Sequence, residues 1–272
     1  MKKQVFIFSI LSLFPLSANA QEATFPSCGP NCTYTIENNV LTVKPIDETK
    51  PASVQSYVRQ GSPWYGQNIT KIDIQEGITN IGYSAFEDMT SVTSVSLPEG
   101  LKTIEGESFH GTRITSLEIP STVTSIGKFA FAISTLKEIN ALPEGLTSIA
   151  TETFANTKIT DLVIPAGVTS ISSSAFGHNG DYWNRSSIKN LYCEESIADQ
   201  CAQVLKWRKD NGADVKVTTY QASSNGQFFY NNRWYNSAND ILSGDYAKKR
   251  IYTVDEANKV TSKKNKVMIR YK

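Results

Sequence analysis

The sequence predicts a β-rich solenoid, in which short parallel strands wind into stacked coils that end in a helix, with a small α+β module at the C-terminal end. Three observations predict it. Phenylalanine recurs at Phe86, Phe109, Phe131, Phe154 and Phe176, in steps of 23, 22, 23 and 22. Isoleucine stands five residues before each, at Ile81, Ile104, Ile126, Ile149 and Ile171. Upstream of these lie Ile78, Leu101, Val123, Leu146 and Val168, and upstream again a triplet such as Ile69, Ile72 and Ile74. Columns that keep register over five copies define a repeat whose units cannot bury their apolar faces alone, so they must stack.

The first twenty residues stand outside this pattern. Lys2 and Lys3 precede an apolar run from Val5 to Leu16, and Ala18-Asn19-Ala20 forms a small-x-small site. This is the signature of a secretory signal peptide cleaved after Ala20. The apolar run is too short to span a bilayer, and no second long one follows, so no transmembrane segment is expected. Export makes the four cysteines candidates for disulfides. Cys28 and Cys32 flank the turn residues Gly29-Pro30-Asn31, while Cys193 and Cys201 lie eight apart. Three connectivities are open, local pairing being the first choice, and the spacing is not that of a C-x-x-C redox pair.

Residues 21–68 read as an N-terminal cap. Tyr34–Ile36 and Val40–Val43 flank Asn38-Asn39, a hairpin signal, and a loop then runs to Trp64. An open solenoid end exposes strand edges and core, so a cover is required there.

The solenoid itself is expected over residues 69–220. In each copy an alternating stretch such as Ile72-Asp73-Ile74 is a strand with one buried face. Pro98, Pro120, Pro143 and Pro165 stop it, a second short extended stretch follows, and the phenylalanine plugs the coil. The triplet recurs as Val92, Val95, Leu97; as Ile114, Leu117, Ile119; and as Ile159, Leu162, Ile164. The copy Leu136, Ile139, Leu142 carries one extra residue near Asn140-Ala141. A degenerate last copy, Ile188, Leu191, Cys193, Ile197 and Leu205, follows an insertion containing Tyr182 and Trp183. Its second half turns helical, with Ser196 as the N-terminal cap, Ile197, Cys201, Val204 and Leu205 on one face, and Asn211-Gly212 as the stop. Cys193 then points inward from a strand and Cys201 from the covering helix, and Val215–Val217 adds an edge strand.

Residues 221–272 break the repeat and read as a basic C-terminal module. Phe228–Tyr230 and Arg233–Tyr235 form a hairpin signal, followed by a strand, helix, strand pattern from Arg250. Tyr246–Lys272 holds nine basic and two acidic residues, whereas residues 69–180 hold six basic and twelve acidic ones. Such a tail suits a polyanionic envelope surface, and equally a solvated small domain.

The stretch Ile114–Phe131, ITSLEIPSTVTSIGKFAF, resembles the BspA-type leucine-rich repeat of bacterial secreted and surface proteins. The resemblance spans residues 69–176. It implies a right-handed leucine-rich-repeat solenoid and, with it, adhesion or protein binding, and it carries no catalytic residues over.

Composition points the same way. The whole chain has 27 basic and 26 acidic residues, a balance unlike that of a nucleic-acid coat. The two histidines, His110 and His178, stand in no nucleophile context. His110 is expected as an exposed turn residue. No zinc spacing or phosphate-binding glycine loop occurs, so neither an enzyme nor a cofactor is expected. The ligand-binding candidates lie on the outward strand positions Asp73, Ser96, Glu118, Glu138 and Asp161, with Tyr182 and Trp183 as aromatic anchors. A small or acidic face suits a polar or basic partner: a protein, cell-surface or matrix ligand. Two other readings stay open. One is a structural envelope component retained through the basic module. The other rests on the hydroxyl rows Thr79, Thr124, Thr147, Thr169 and Thr103, Ser125, Ser148, Ser170, which could order water. Secretion, the periplasm and the cell surface are all consistent with the signal peptide.

Overall fold

The computed structural model describes residues 26–58, 60–139, 141–177, 186–222, 228–230 and 233–235. It shows a β-solenoid of about six turns, closed near the C-terminal end by a helix. At the N-terminal end β1 (Ser27–Gly29) and β2 (Cys32–Glu37) are antiparallel, and β2 pairs with β3 (Val40–Pro45) through a tight turn. Asn38 and Asn39 make that turn at φ 50° and 64°, the left-handed region that asparagine tolerates and a two-residue hairpin requires.

From β3 to β16 the stacking is parallel. The first coil pairs β3 and β4 (Ala52–Val54) with β5 (Lys71–Ile74) and β6 (Ile78–Ile81), aligning Leu41 with Ile72, Val43 with Ile74 and Val54 with Ile81. Coil winding therefore starts at Val40, within the segment read from sequence as a cap. The next coils carry β7 (Ser94–Ser96) and β8 (Thr103–Ile104), β9 (Ser116–Leu117) and β10 (Ser125–Ile126), then β11 (Glu138–Ile139) and β12 (Ser148–Ile149). β13 (Asp161–Val163) and β14 (Ser170–Ile171) complete the regular set. Ile81, Ile104 and Ile126 align across β6, β8 and β10, as the isoleucine column requires. On the other face the ladder is interrupted between β7 and β9, which belong to different sheets.

The phenylalanine turns form a third ladder. Phe86, Phe109, Phe131 and Phe154 donate their backbone N–H to carbonyls of the next coil, those of Ser108, Ala130, Thr153 and Ala175, at 2.8–3.0 Å. Ser84, Glu107, Phe129 and Glu152, two residues before each phenylalanine, have φ between 51° and 59°. Asp88, Gly111, Ile133 and Asn156, two residues after, are left-handed as well. These kinks aim successive N–H groups along the axis, so the buried turn satisfies its donors without regular strand. Side chains supply the rest: Thr112, Ser134 and Thr157 are buried and donate to the carbonyls of Phe109, Phe131 and Phe154.

The rings stack into one column. Trp64, Phe86, Phe109, Phe131, Phe154 and Phe176 follow one another at centroid distances of 5.3–6.1 Å, all essentially inaccessible to solvent. Trp64 heads the column, its indole N–H donating to the Ala85 carbonyl at 2.8 Å. Each ring removes a large apolar area from water, about 25 cal/mol per Å².

β15 (Asn190–Glu194) pairs in parallel with β13 and with β16 (Lys216–Ala222). A 3-10 turn, Glu195–Ile197, leads from β15 into α1 (Ala198–Asp210). Ile197, Cys201, Val204 and Leu205 all lie in the core, as the helical spacing predicts. The cap differs from the expectation: Glu194, not Ser196, is the capping residue, its carboxylate accepting from the Ser196 N–H at 2.7 Å. The longer carboxylate reaches this donor because a 3-10 turn precedes the helix proper. Gly212 ends the helix at φ 79°, and the Ala213 N–H returns to the Arg208 carbonyl. β17 (Phe228–Tyr230) pairs antiparallel with β16 and with β18 (Arg233–Tyr235), so the expected hairpin extends the last sheet of the solenoid. The module boundary drawn at residue 221 thus falls inside β16.

Both cysteine pairs are local, Cys28 with Cys32 and Cys193 with Cys201. The first clip presents Asn31, whose side chain bonds to the backbone of Asp47 and Lys50 and fixes the loop after β3. In the second, strand β15 is fastened to α1. Tyr220 locks the same end, its buried phenol donating to the Ile164 carbonyl. Burial pushes that phenol far above the usual tyrosine range, so it stays a donor at any physiological pH.

Candidate functional site: the acidic strand face

Alternation along the odd-numbered strands turns every second side chain outward. Lys71, Ser94, Ser116, Glu138 and Asp161 are exposed, and Ser96 and Glu118 beside them are also exposed. Register brings these residues into rows: Asp73 lies opposite Ser96, and Ser116 opposite Glu138.

Two adjoining grooves contain four of the five strand candidates. One, of about 770 Å³, includes Asp73, Ser96 and Glu118 together with Glu48, Glu76 and Glu99, against a single base, Lys44. The other, of about 700 Å³, shares Ser96 and Glu118 and adds Glu138. Its apolar lining is Val95, Leu97, Leu117 and Ile139, at the place where the ladder opens between β7 and β9. Val95, Leu97 and Ile139 were assigned to the core by periodicity; they are only half-buried, because the interrupted ladder lets solvent reach the strand face. The result is an apolar floor whose walls carry Glu118 and Glu138 with one base, Lys71.

Asp73, Glu99 and Glu138 each have a partner, Glu99 accepting from Ser121 at 3.4 Å. Asp73 accepts from Gln75 at 3.2 Å, and Glu138 lies 3.7 Å from the Lys137 ammonium, both at the surface. Asp161 stands apart, one coil beyond, and accepts from Asn190 and Thr160. Val163, two residues after the exposed Asp161 on β13, is buried beside Tyr192, so the row of Asp73, Ser96 and Glu118 closes at that position. Tyr182, Trp183 and His178 lie outside the described residues. His110 is not the exposed turn residue expected: it is half-buried, with Nδ1 3.5 Å from the Asp88 carboxylate. In the loop after β3, Asp47 is held well below the ordinary aspartate range, at about 2, by hydrogen bonds from Lys50 and Thr49.

Three threonines of the first hydroxyl row are engaged within the fold, whereas Ser125, Ser148 and Ser170 of the second are exposed. Thr79, Thr124 and Thr169 donate to the carbonyls of Ala52, Lys102 and Thr147 in the preceding coil. They add side-chain rungs between coils. Among the described residues no cluster of histidine, cysteine and carboxylate side chains could hold a metal ion, and no helix is long and apolar enough to cross a membrane.

With this geometry in hand, the class of protein is a leucine-rich-repeat solenoid. More particularly, residues 61–181 match the BspA type leucine-rich repeat region, in six copies. The match starts just before Trp64, the first ring of the stack. Among solved structures, a leucine-rich repeat protein from Eubacterium ventriosum is similar over 75% of this chain and 47% of its own, with 19% identity and a TM-score of 0.53. A leucine rich cell surface protein from Faecalibacterium prausnitzii aligns over 64% of this chain and 52% of its own, with 17% identity and a TM-score of 0.41. The pneumococcal vaccine antigen PcpA aligns over 64% and 45%, with 18% identity and a TM-score of 0.38. The chain spans about half the length of these structures. No curated protein matches the sequence.

Proposed function

We propose that this chain is an exported, non-catalytic binding protein that recognises a basic segment of a protein ligand at the bacterial surface. The observation that carries this reading is the groove joining Asp73, Ser96 and Glu118, with five carboxylates against one lysine. Beside it the floor of Val95, Leu97 and Ile139 offers apolar contact. An extended peptide with alternating basic and aliphatic side chains complements both features. Charge of one sign in a groove steers such a partner and makes its capture salt-dependent. Export rests on Lys2, Lys3, the Val5–Leu16 run and the Ala18–Ala20 site, and surface residence on the kinship of the repeat.

The test compares the chain with a variant carrying Asp73→Lys, Glu118→Lys and Glu138→Lys. A labelled peptide of alternating lysine and leucine should bind the parent saturably and weaken as salt rises. The variant should lose it. Equal binding by both proteins removes the strand face from the function.

A further inference from the structure

A second cleft lies on the turn side of the early coils, away from the strand face. Its volume is about 810 Å³, and it is lined by the rings of Tyr57, Tyr83 and Phe129 and by the polar groups of Ser84, Glu107 and His110. We propose that this cleft is an oligosaccharide-binding site.

The fixed ring is Tyr83. It is 43% exposed, yet it is held from three directions. Its phenol donates to the Glu107 carboxylate, and its backbone N–H lies within 3.1 Å of both Glu105 Oε2 and Ser56 Oγ. The ring rests on Gly106, so closely that a Cβ there would come within 3.2 Å of Cδ2 and Cε2. An aromatic platform fixed before the ligand arrives loses little rotamer entropy on binding.

Phe129 gives the second, independent observation. It adopts φ 59° at a turn position filled by Ser84, Glu107 and Glu152 in other copies, all left-handed. The core stack uses Phe131, not Phe129, and Phe129 remains half-buried at the cleft. A bulky ring in this conformation is unfavourable and does nothing for the stack. Its placement is explained by a ligand that needs an aromatic face.

Pyranose rings match this lining. Their C–H faces pack on aromatic rings, and their hydroxyls donate to carboxylates such as Glu107 and exchange hydrogen bonds with imidazole and serine groups. Tyr83 and Phe129 belong to coils two apart, roughly 10 Å along the axis at the strand spacing. That separation suits linked sugar rings better than a monosaccharide.

The full chain is titrated calorimetrically with chitotriose, cellotriose, maltotriose and mannotriose, alongside Tyr83→Ala, Phe129→Ser and the strand-face lysine variant. Saturable binding of at least one trisaccharide is expected, weakened tenfold or more by each cleft substitution and unchanged in the strand-face variant. Phe129→Ser keeps a residue that the fold already accepts at Ser84, so it reads the site even where Tyr83→Ala unfolds. Binding of none of the four sugars, or binding indifferent to Phe129→Ser, overturns the proposal. Because the strand-face variant is scored separately, failure of either site is seen without the other.

Discussion

The rings of Phe109 and Phe131 stack with their centroids 5.7 Å apart and their planes 1° from parallel. They are neighbours because the chain returns to the same turn after one coil, and the ladder from the Phe109 N–H to the Ala130 carbonyl fixes the offset. Removing one ring leaves its two neighbours facing a void. Phe131→Ala should cost about 3–5 kcal/mol and Phe131→Leu distinctly less, read as a shift of the urea midpoint.

Ile133 sits at φ 57° in a column whose other members are Asp88, Gly111 and Asn156. A β-branched residue pays most for this conformation, whereas asparagine already occupies the equivalent turn. Ile133→Asn should stabilise the protein by about 1 kcal/mol. An unchanged or lower denaturation midpoint would count against strain at this turn.

The Cys193–Cys201 bond closes a short loop between β15 and α1. Replacing both cysteines with serine should cost about 2 kcal/mol by the loop-closure argument. The loss should concentrate at the C-terminal end, so hydrogen exchange should rise in α1 and β16 before it rises around Phe109.

Asp47 titrates at about 2 because Lys50 and Thr49 hydrogen-bond to its ionised form. A depressed carboxylate contributes above its unfolded value, and the contribution is lost as pH falls through about 2. Lys50→Met should move the titration back toward the ordinary aspartate range of about 4. An NMR pH titration of the Asp47 carboxyl checks this, and no movement would remove Lys50 as the cause.

Periodicity made the solenoid readable because the same six apolar columns face one core, and burial leaves little freedom in what fills them. Trp64 stands 22 residues before Phe86 and could have been found by stepping the period backward; a search for phenylalanine alone passes over it. Leu41 was harder, since it precedes its partner Ile72 by 31 residues, a longer step than the period allows. The acidic row followed from strand alternation, which is local. That Asp161 leaves the row depends on Asn190 in the next strand, a contact between coils that alternation does not encode. The turn-side cleft was less legible still. Its one trace is that Phe129 and Tyr83 stand where other copies carry small or polar residues, and only stacking brings them to one cleft.

Both the acidic groove and the aromatic cleft draw their residues from the chain before Ala141. The Leu146–Val168 stretch belongs to the coils that follow, joined to its neighbours by the same ladders as the rest. Duplicating one such unit would lengthen the rod by a single strand spacing, about 4.8 Å, and displace only the helical end. Repeat number can therefore change between the two clefts and the helical end, a spacer set by whole coils, without altering the lining of either.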